Sequence, residues 1–296
     1  MRSFRKILWY VLFVASALSF CVAGYGQKRE PDVEFVATPE LAVMEMLKLA
    51  KVTEADIVYD LGCGDGRIVI TAAKEFGARG VGVDIDPQRI KESNENALKA
   101  GVTSRVKFLE QDLFQTDISE ATVVTLFLLP ELNLKLRPKL LRELKPGTRI
   151  VSHDFEMGDW KPDNVRFVPN VNVYYPDGTL FKRSATFNYW VIPANAAGLW
   201  RWTVPTSSGE RHYSLHFSQN FQELSGKVEV QGRHKVIEDI RLVGEQLTFG
   251  VRDEMGGRKV VMRFTGRIKG DTIDGSIEIK GGPFEGSHNW TAKRER

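Results

Sequence analysis

Three glycines at alternate positions, set between a β-rich run and a helical one, restrict this chain more than any other feature. The stretch is Val58-Tyr59-Asp60-Leu61-Gly62-Cys63-Gly64-Asp65-Gly66. Ile57–Leu61 reads as a short strand, and Arg67–Phe76 as a helix with apolar residues at Ile68, Val69 and Ala72. A strand that turns through glycines into a helix opens a βαβ unit, whose ligands sit at the carboxyl ends of the strands. The alternation continues. Gly80–Ile85 reads as a second strand, and Asp86-Pro87 caps a helix to about Ala100, closed by Gly101. Val106–Leu109 is a third strand. Thr122–Leu128 reads as an apolar fourth strand, as in a sheet buried on both faces. Helical turns follow over Glu131–Leu144, interrupted or restarted at Pro138. Arg149–Ser152 is a fifth strand. Val165–Tyr175 and Ser184–Ile192 read as an antiparallel pair joined through Pro176-Asp177-Gly178. Upstream, Thr38 is expected to cap a helix from Pro39 to about Ala50. This order predicts a doubly wound, Rossmann-like α/β sheet over residues 32–195. The sheet is complete by Ile192, so a fragment ending near residue 196 is expected to fold alone.

The acids around the glycines decide what the turn can hold. A dinucleotide fingerprint would place glycines at 62, 64 and 67, but residue 67 is Arg. Asp60 and Asp65 would repel a pyrophosphate, which disfavours an NAD oxidoreductase. They would attract a cationic ligand without phosphate, and S-adenosyl-L-methionine, with its ammonium and sulfonium, is one. Asp84 ends the second strand, placed to accept ribose hydroxyls. Asp112 follows the third strand, placed to accept an adenine amino group. Asp86, before Pro87, reads as a helix cap. The candidate cofactor residues are therefore Asp60, Gly62, Cys63, Gly64, Asp65, Gly66, Asp84, Ile85, Asp112 and Leu113. On the acceptor side the candidates are Glu131 and His153, with Trp160 as a wall or packing residue. Arg67 is expected to pair with an acid at its helix start.

At these residues the chain resembles class I S-adenosylmethionine-dependent methyltransferases. More narrowly, Phe35-Val36-Ala37-Thr38-Pro39, the run Tyr59-Asp60-Leu61-Gly62-Cys63-Gly64-Asp65-Gly66-Arg67-Ile68-Val69-Ile70 and the apolar strand ending in Leu129-Pro130 resemble one group. These are the lysine methyltransferases of the mitochondrial ATP synthase c-subunit and adenine nucleotide translocase, with related bacterial proteins. The resemblance covers about residues 33–193. It implies N-methylation of a lysine on a protein substrate, membrane-embedded or near a membrane. Cys63 stands where the mitochondrial enzymes tend to have Ser. A second reading is a non-catalytic module that binds S-adenosylmethionine or a nucleoside, with the C-terminal region mediating adhesion or assembly.

Lysine methylation needs a neutral amine, and desolvation beside a sulfonium favours that form without a strong base. Enzymes that methylate amide or nucleobase nitrogens often carry an Asn- or Asp-Pro-Pro-aromatic motif after the fourth strand. Phe127-Leu128-Leu129-Pro130-Glu131 stands there instead.

Met1–Lys6 is basic, and Ile7–Gly26 carries no charge. Residues 1–26 thus read as a signal peptide or a membrane anchor, with a lipoprotein signal at Cys21 as a lesser alternative. The body is expected at the membrane or exported, and the side of the membrane stays open. The formal net charge is +3. Arg2, Arg5 and Lys6 account for it, so the charge gives no sign of a nucleic-acid partner. The 2 cysteines, Cys21 and Cys63, make neither a disulfide framework nor a metal cluster.

After Pro193-Ala194-Asn195-Ala196-Ala197-Gly198 the helical periods stop. Alternating runs recur over Trp200–Val204, His212–Ser218, Gly226–Val230, Val236–Leu242, Gln246–Val251, Lys259–Ile268, Thr272–Ile279 and Ser287–Ala292. They predict an antiparallel all-β barrel or sandwich over residues 198–296. Trp200, Trp202 and Trp290 read as core. The histidines at 212, 216, 234 and 288 lack metal-ligand spacing. The role expected of this region is substrate docking or envelope binding.

Overall fold

The computed structural model describes residues 35–174, 180–206, 209–282 and 284–295, together with Val33. The expected signal or anchor over residues 1–26 and the turn at Pro176-Asp177-Gly178 lie outside the described residues. Among the described residues no helix is long and apolar enough to cross a membrane.

The alternation of the first half becomes α1 (Glu40–Leu49), β1 (Ile57–Leu61), α2 (Arg67–Phe76), β2 (Arg79–Asp84), α3 (Pro87–Ala100), β3 (Val106–Glu110), β4 (Val123–Leu126), α4 (Pro130–Glu143) and β5 (Arg149–His153). An antiparallel pair, β6 (Asn164–Tyr174) and β7 (Leu180–Val191), completes a sheet of order β3-β2-β1-β4-β5-β7-β6. β1 to β5 run parallel, and β7 runs antiparallel between β5 and β6. The strand order reverses between β1 and β4, so the ligand crevice is expected at their carboxyl ends. Apolar side chains cover both faces. Val58, Val123, Val151 and Phe187 pack toward α1 and α2, and Leu61, Leu126, Ile150 and Trp190 pack toward α4.

Two local expectations differ from the structure. Thr38 does not cap α1; Pro39 holds the N-cap without a side-chain bond. The carbonyl of Thr38 instead accepts a hydrogen bond from Arg67 at 2.8 Å. Helix α4 runs unbroken through Pro138. The carbonyl that Pro138 leaves unbonded belongs to Leu134, on the exposed side of the helix, where the lost bond costs least.

The second half is all antiparallel: β8 (Gly198–Thr206), β9 (Gly209–Asn220), β10 (Glu223–Val230), β11 (Arg233–Lys235), β12 (Ile237–Val243), β13 (Gln246–Met255), β14 (Arg258–Lys269), β15 (Thr272–Lys280) and β16 (Gly286–Glu295). The eight runs read from the sequence are all strands, and the short β11 is added. The order is β11-β10-β9-β8-β16-β15-β14-β13-β12, so the first and last strands of the region pair and curl the sheet into a barrel. Alternate side chains fill its interior. Trp202, Phe249, Phe264 and Trp290 meet there, with Phe249 and Phe264 stacked at 4.6 Å. The tryptophans are core, as their alternation implies.

One seam of the barrel, between β10–β11 and β12–β13, has no backbone ladder. A buried ion cluster spans it. Asp253 of β13 receives Lys235 of β11 at 2.6 Å, Arg211 of β9 at 3.0 Å and the Tyr213 hydroxyl at 2.9 Å.

Residues 35–296 pack as one compact unit. Two barrel turns meet the α/β layer. At the first, the Trp160 indole N–H donates to Gln222 Oε1 at 2.8 Å, and Phe221 stacks on Trp160 at 5.6 Å. At the second, the Ala194 N–H donates to the Gly244 carbonyl at 2.8 Å. A Cβ at Gly244 would stand 3.0 Å from Gly147 Cα, so only glycine allows that approach. A fragment ending at residue 196 uncovers Trp160, which is otherwise fully buried. It is expected to unfold cooperatively but to lose about 2–4 kcal/mol, from re-exposed aromatic surface and lost hydrogen bonds. Urea unfolding of the fragment against the full chain checks this, and equal stability would refute it.

Candidate functional site

The glycine turn is built from backbone conformations that side chains resist. Gly62, Gly64 and Gly66 have φ of 87°, 53° and 79°. The N–H groups of Gly62 and Cys63 donate to the Val83 carbonyl at 2.8 and 2.9 Å, which ties the turn to β2. Phe35 lies directly on Gly64, where an added Cβ would come within 2.1 Å of its ring. Arg89 sits over that ring, 4.8 Å from its centroid. The segment at Phe35–Thr38 therefore crosses the turn, and Arg67 latches it through the Thr38 carbonyl.

Three carboxylates converge here. Asp65 turns to Arg67, with contacts of 2.6 and 2.9 Å, which is the pairing expected at the helix start. Asp84 accepts the Gly64 N–H at 2.8 Å through Oδ2 and the Asp86 N–H at 3.0 Å through Oδ1. A carboxylate has about four acceptor positions, so two remain for further donors. Asp60 is 3% exposed and accepts the Thr125 hydroxyl at 2.8 Å. Burial pushes Asp60 up; the Thr125 bond opposes this, and Asp84 and Asp65 add to it, bringing it to about 7. Arg67 answers only one of these carboxylates directly. This set of acceptors fits a cation and has little to offer a phosphate.

Asp86 caps α3 through Gln88 N at 2.8 Å, the role read for it. Asp112 lies half-buried just beyond β3 and accepts the Phe114 N–H at 2.9 Å. Ile85 and Leu113 are half-buried beside Asp84 and Asp112. Cys63 is buried, and an added Cβ at Gly82 would meet its Sγ at 2.8 Å. It is a packing residue, and burial raises its thiol pKa first among several causes.

The acceptor-side candidates separate. Glu131 is exposed in the first turn of α4. His153 is 1% exposed, stacked on Phe127 at 4.1 Å and tilted against Phe187 at 5.3 Å. Burial pulls its pKa down to about 4, with Asp154 opposing and Arg183 assisting. The imidazole is neutral at physiological pH and does not store a proton there. Trp160 packs between Trp190 and Phe221. Among the described residues no cluster of His, Cys, Asp or Glu forms a metal site.

Sequence reading missed Thr125 and Phe35 as parts of the turn. Thr125 carries a signal, since a hydroxyl inside a buried apolar strand needs a partner.

The Asp60 value gives a pH prediction. An acid raised above its unfolded pKa near 3.9 contributes stability in acid, and that contribution is lost as pH rises from about 4 to about 7. A cation beside Asp60 favours the ionised form. Affinity for S-adenosylhomocysteine, which carries an ammonium, is expected to rise about tenfold per unit up to pH 7 and then level off. In Asp60→Asn the slope disappears. Calorimetry from pH 5.5 to 8 checks this, and a flat wild-type profile would refute it.

Residues 60–164 match the ANTKMT methyltransferase domain family. A protein-lysine N-methyltransferase of Saccharolobus islandicus is 55% identical over 144 residues, spanning 48% of this chain and 89% of that protein. The ATP synthase c-subunit lysine N-methyltransferase of Homo sapiens is 31% identical over 172 residues, 57% of this chain and 73% of its own length. A solved Salinibacter ruber protein, described as an RNA methyltransferase in complex with S-adenosyl-L-homocysteine, is 51% identical. That match covers 53% of this chain and 93% of the other, with a TM-score of 0.46. More than half of this chain lies outside the 144 residues aligned with the Saccharolobus protein. On a relative of this identity and coverage, the chain belongs to the ANTKMT-type methyltransferases and is an S-adenosyl-L-methionine-dependent enzyme.

Proposed function

We propose that the chain methylates the side-chain nitrogen of a lysine on a protein substrate. The observation that carries this is the contrast between the two ends of the crevice. The β1–β2 end is crowded with carboxylates, while the β4 end offers Phe127, Leu128, Leu129 and Pro130 with no carboxamide or acid until the exposed Glu131. An apolar mouth strips water from an incoming ammonium and favours its neutral form. The names of the relatives support the lysine reading.

Asp60 takes the cofactor's ammonium in this reading. The turn of Gly62, Cys63, Gly64, Asp65 and Gly66 lies against its methionine part. Asp84 with Ile85 receives the ribose, and Asp112 with Leu113 the adenine. When bound, the cofactor supplies a methyl carbon whose bond to sulfur breaks as its bond to the amine nitrogen forms, leaving S-adenosylhomocysteine. The chain's residues align the two reactants, which can provide much of the rate. His153, held neutral, contributes packing against Phe127 and Phe187.

The test is transfer of labelled methyl from S-adenosylmethionine to a membrane-protein extract, with mass spectrometry of the products. Methyl-lysine supports the reading. Label found only in RNA, or none in protein, sinks it. The charge-free run over residues 7–26 supports a place at the membrane, with an exported body slightly favoured. Fusing residues 1–40 to a reporter active only outside the cytosol, with a cytosol-active control, tests that. A full-length protein found free in the cytosol would overturn it.

A further inference from the structure

We propose that the tip of the β9–β10 hairpin, Phe221 and Gln222, positions the acceptor side of the methyl-transfer site, so that the barrel forms part of its support. The proposal rests on the reading above, which places the acceptor at the carboxyl end of β4, and β5 is the next strand of the sheet.

The chain between β5 and β6, residues 154–163, leaves the carboxyl end of β5 directly. It crosses β7 to reach a parallel strand, a connection usually made through a helix. Here it has only one isolated bridge, Met157 with Trp160. Its order must come from its neighbours. On one side α4 holds it. The Asn133 amide donates to the Phe155 and Glu156 carbonyls at 3.4 Å each, and Arg137 donates to the Met157 carbonyl at 2.7 Å and to Asp159. From the sheet, Trp190 donates to the Trp160 carbonyl at 2.9 Å.

The hairpin tip closes the remaining side. Gln222 is bidentate, accepting from the Trp160 indole and donating to the Lys161 carbonyl at 2.6 Å. Phe221 stacks on Trp160, and Arg137 lies 5.3 Å from the centre of its ring. Arg137 thus touches both the loop and the hairpin, and its helix begins at the end of β4. Gln219 braces the tip by donating to the Phe221 carbonyl at 2.7 Å.

Phe221 has φ of 53° in the turn between β9 and β10. That is a position suited to glycine and costly for a bulky side chain. A residue chosen for the turn alone would be glycine. The ring in that strained place is explained by what it packs against, the acceptor-side loop.

The experiment compares wild type, Phe221→Gly, Phe221→Tyr and Gln222→Ala in the full chain. Amide hydrogen exchange across residues 155–163 is expected to quicken at least tenfold in Phe221→Gly and Gln222→Ala. Exchange in residues 61–66 and affinity for S-adenosylhomocysteine should stay within twofold. With polylysine as methyl acceptor, KM should rise more than kcat falls, and Phe221→Tyr should behave as wild type. If the turn's own geometry were all that mattered, Phe221→Gly would be neutral or stabilising, and that result overturns the proposal. Parallel loss of cofactor affinity also overturns it, because the effect would then be global. Wild type that binds S-adenosylhomocysteine but methylates neither polylysine nor protein extract would sink the lysine reading instead. Hydrogen exchange would still decide whether the hairpin orders the loop.

Discussion

Asp84→Ala will lower the affinity for S-adenosylmethionine by about ten- to a hundredfold and loosen the glycine turn even without ligand. Two effects act together. The carboxylate accepts the Gly64 N–H at 2.8 Å and the Asp86 N–H at 3.0 Å. Each hydrogen bond to a charged group contributes about 1.5–3 kcal/mol. Alanine removes both, so the turn loses its tie from Gly64 to the end of β2. It also removes the acceptor proposed for the ribose hydroxyls, again worth about 1.5–3 kcal/mol. Only the ribose contact is made on binding, and its loss corresponds to about ten- to a hundredfold in affinity; the two intrachain bonds are lost from free and bound protein alike and lower the stability of the turn itself. Asp84→Asn keeps one acceptor oxygen and should fall between wild type and alanine. Calorimetry with S-adenosylmethionine and S-adenosylhomocysteine measures the loss. Unchanged affinity in Asp84→Ala would remove the residue from the site.

Asp253→Ala is expected to destabilise the whole chain by about 3 kcal/mol without touching the cofactor. The carboxylate has no exposed side-chain surface, while Arg211 and Lys235 are 19% and 21% exposed. Removing it leaves Arg211 of β9 and Lys235 of β11 as neighbouring cations without their shared anion, together with a buried Tyr213 hydroxyl that loses its acceptor. Breaking such a cluster from one side usually costs about 3–5 kcal/mol, and the partial exposure of the cations argues for the lower end. The Tyr213 hydroxyl is held in its protonated form by burial and by Asp253, so it remains a donor. Urea unfolding gives the stability change, and affinity for S-adenosylhomocysteine is the control. A change below about 1 kcal/mol would mean that water screens the cluster.

Local requirements were legible in the chain. Gly62, Gly64 and Gly66 announce left-handed backbone because few other residues adopt it without strain, and all three do. Asp60 and Asp84 sit at strand ends because a βα unit brings its ligand there. The barrel strands follow from a period of two that has no helical solution. The helix cap at Asp86 needs only its own neighbours.

Partnerships between distant residues were not legible, and they supply much of the site's character. Thr125 is 65 residues from Asp60, and their hydrogen bond exists because β1 and β4 are neighbours in the sheet. Phe35 covers Gly64 only after the segment before α1 folds back across the turn. Trp160 finds Gln222 62 residues away, and Asp253 of β13 gathers Arg211 of β9 from 42 residues away. A residue's backbone preference depends on its own side chain and a few neighbours. The partner of a buried polar or aromatic group depends on which strands and turns come together. Packing of the whole chain decides that, and with it the elevated pKa of Asp60, the neutral His153 and the support of the loop after β5.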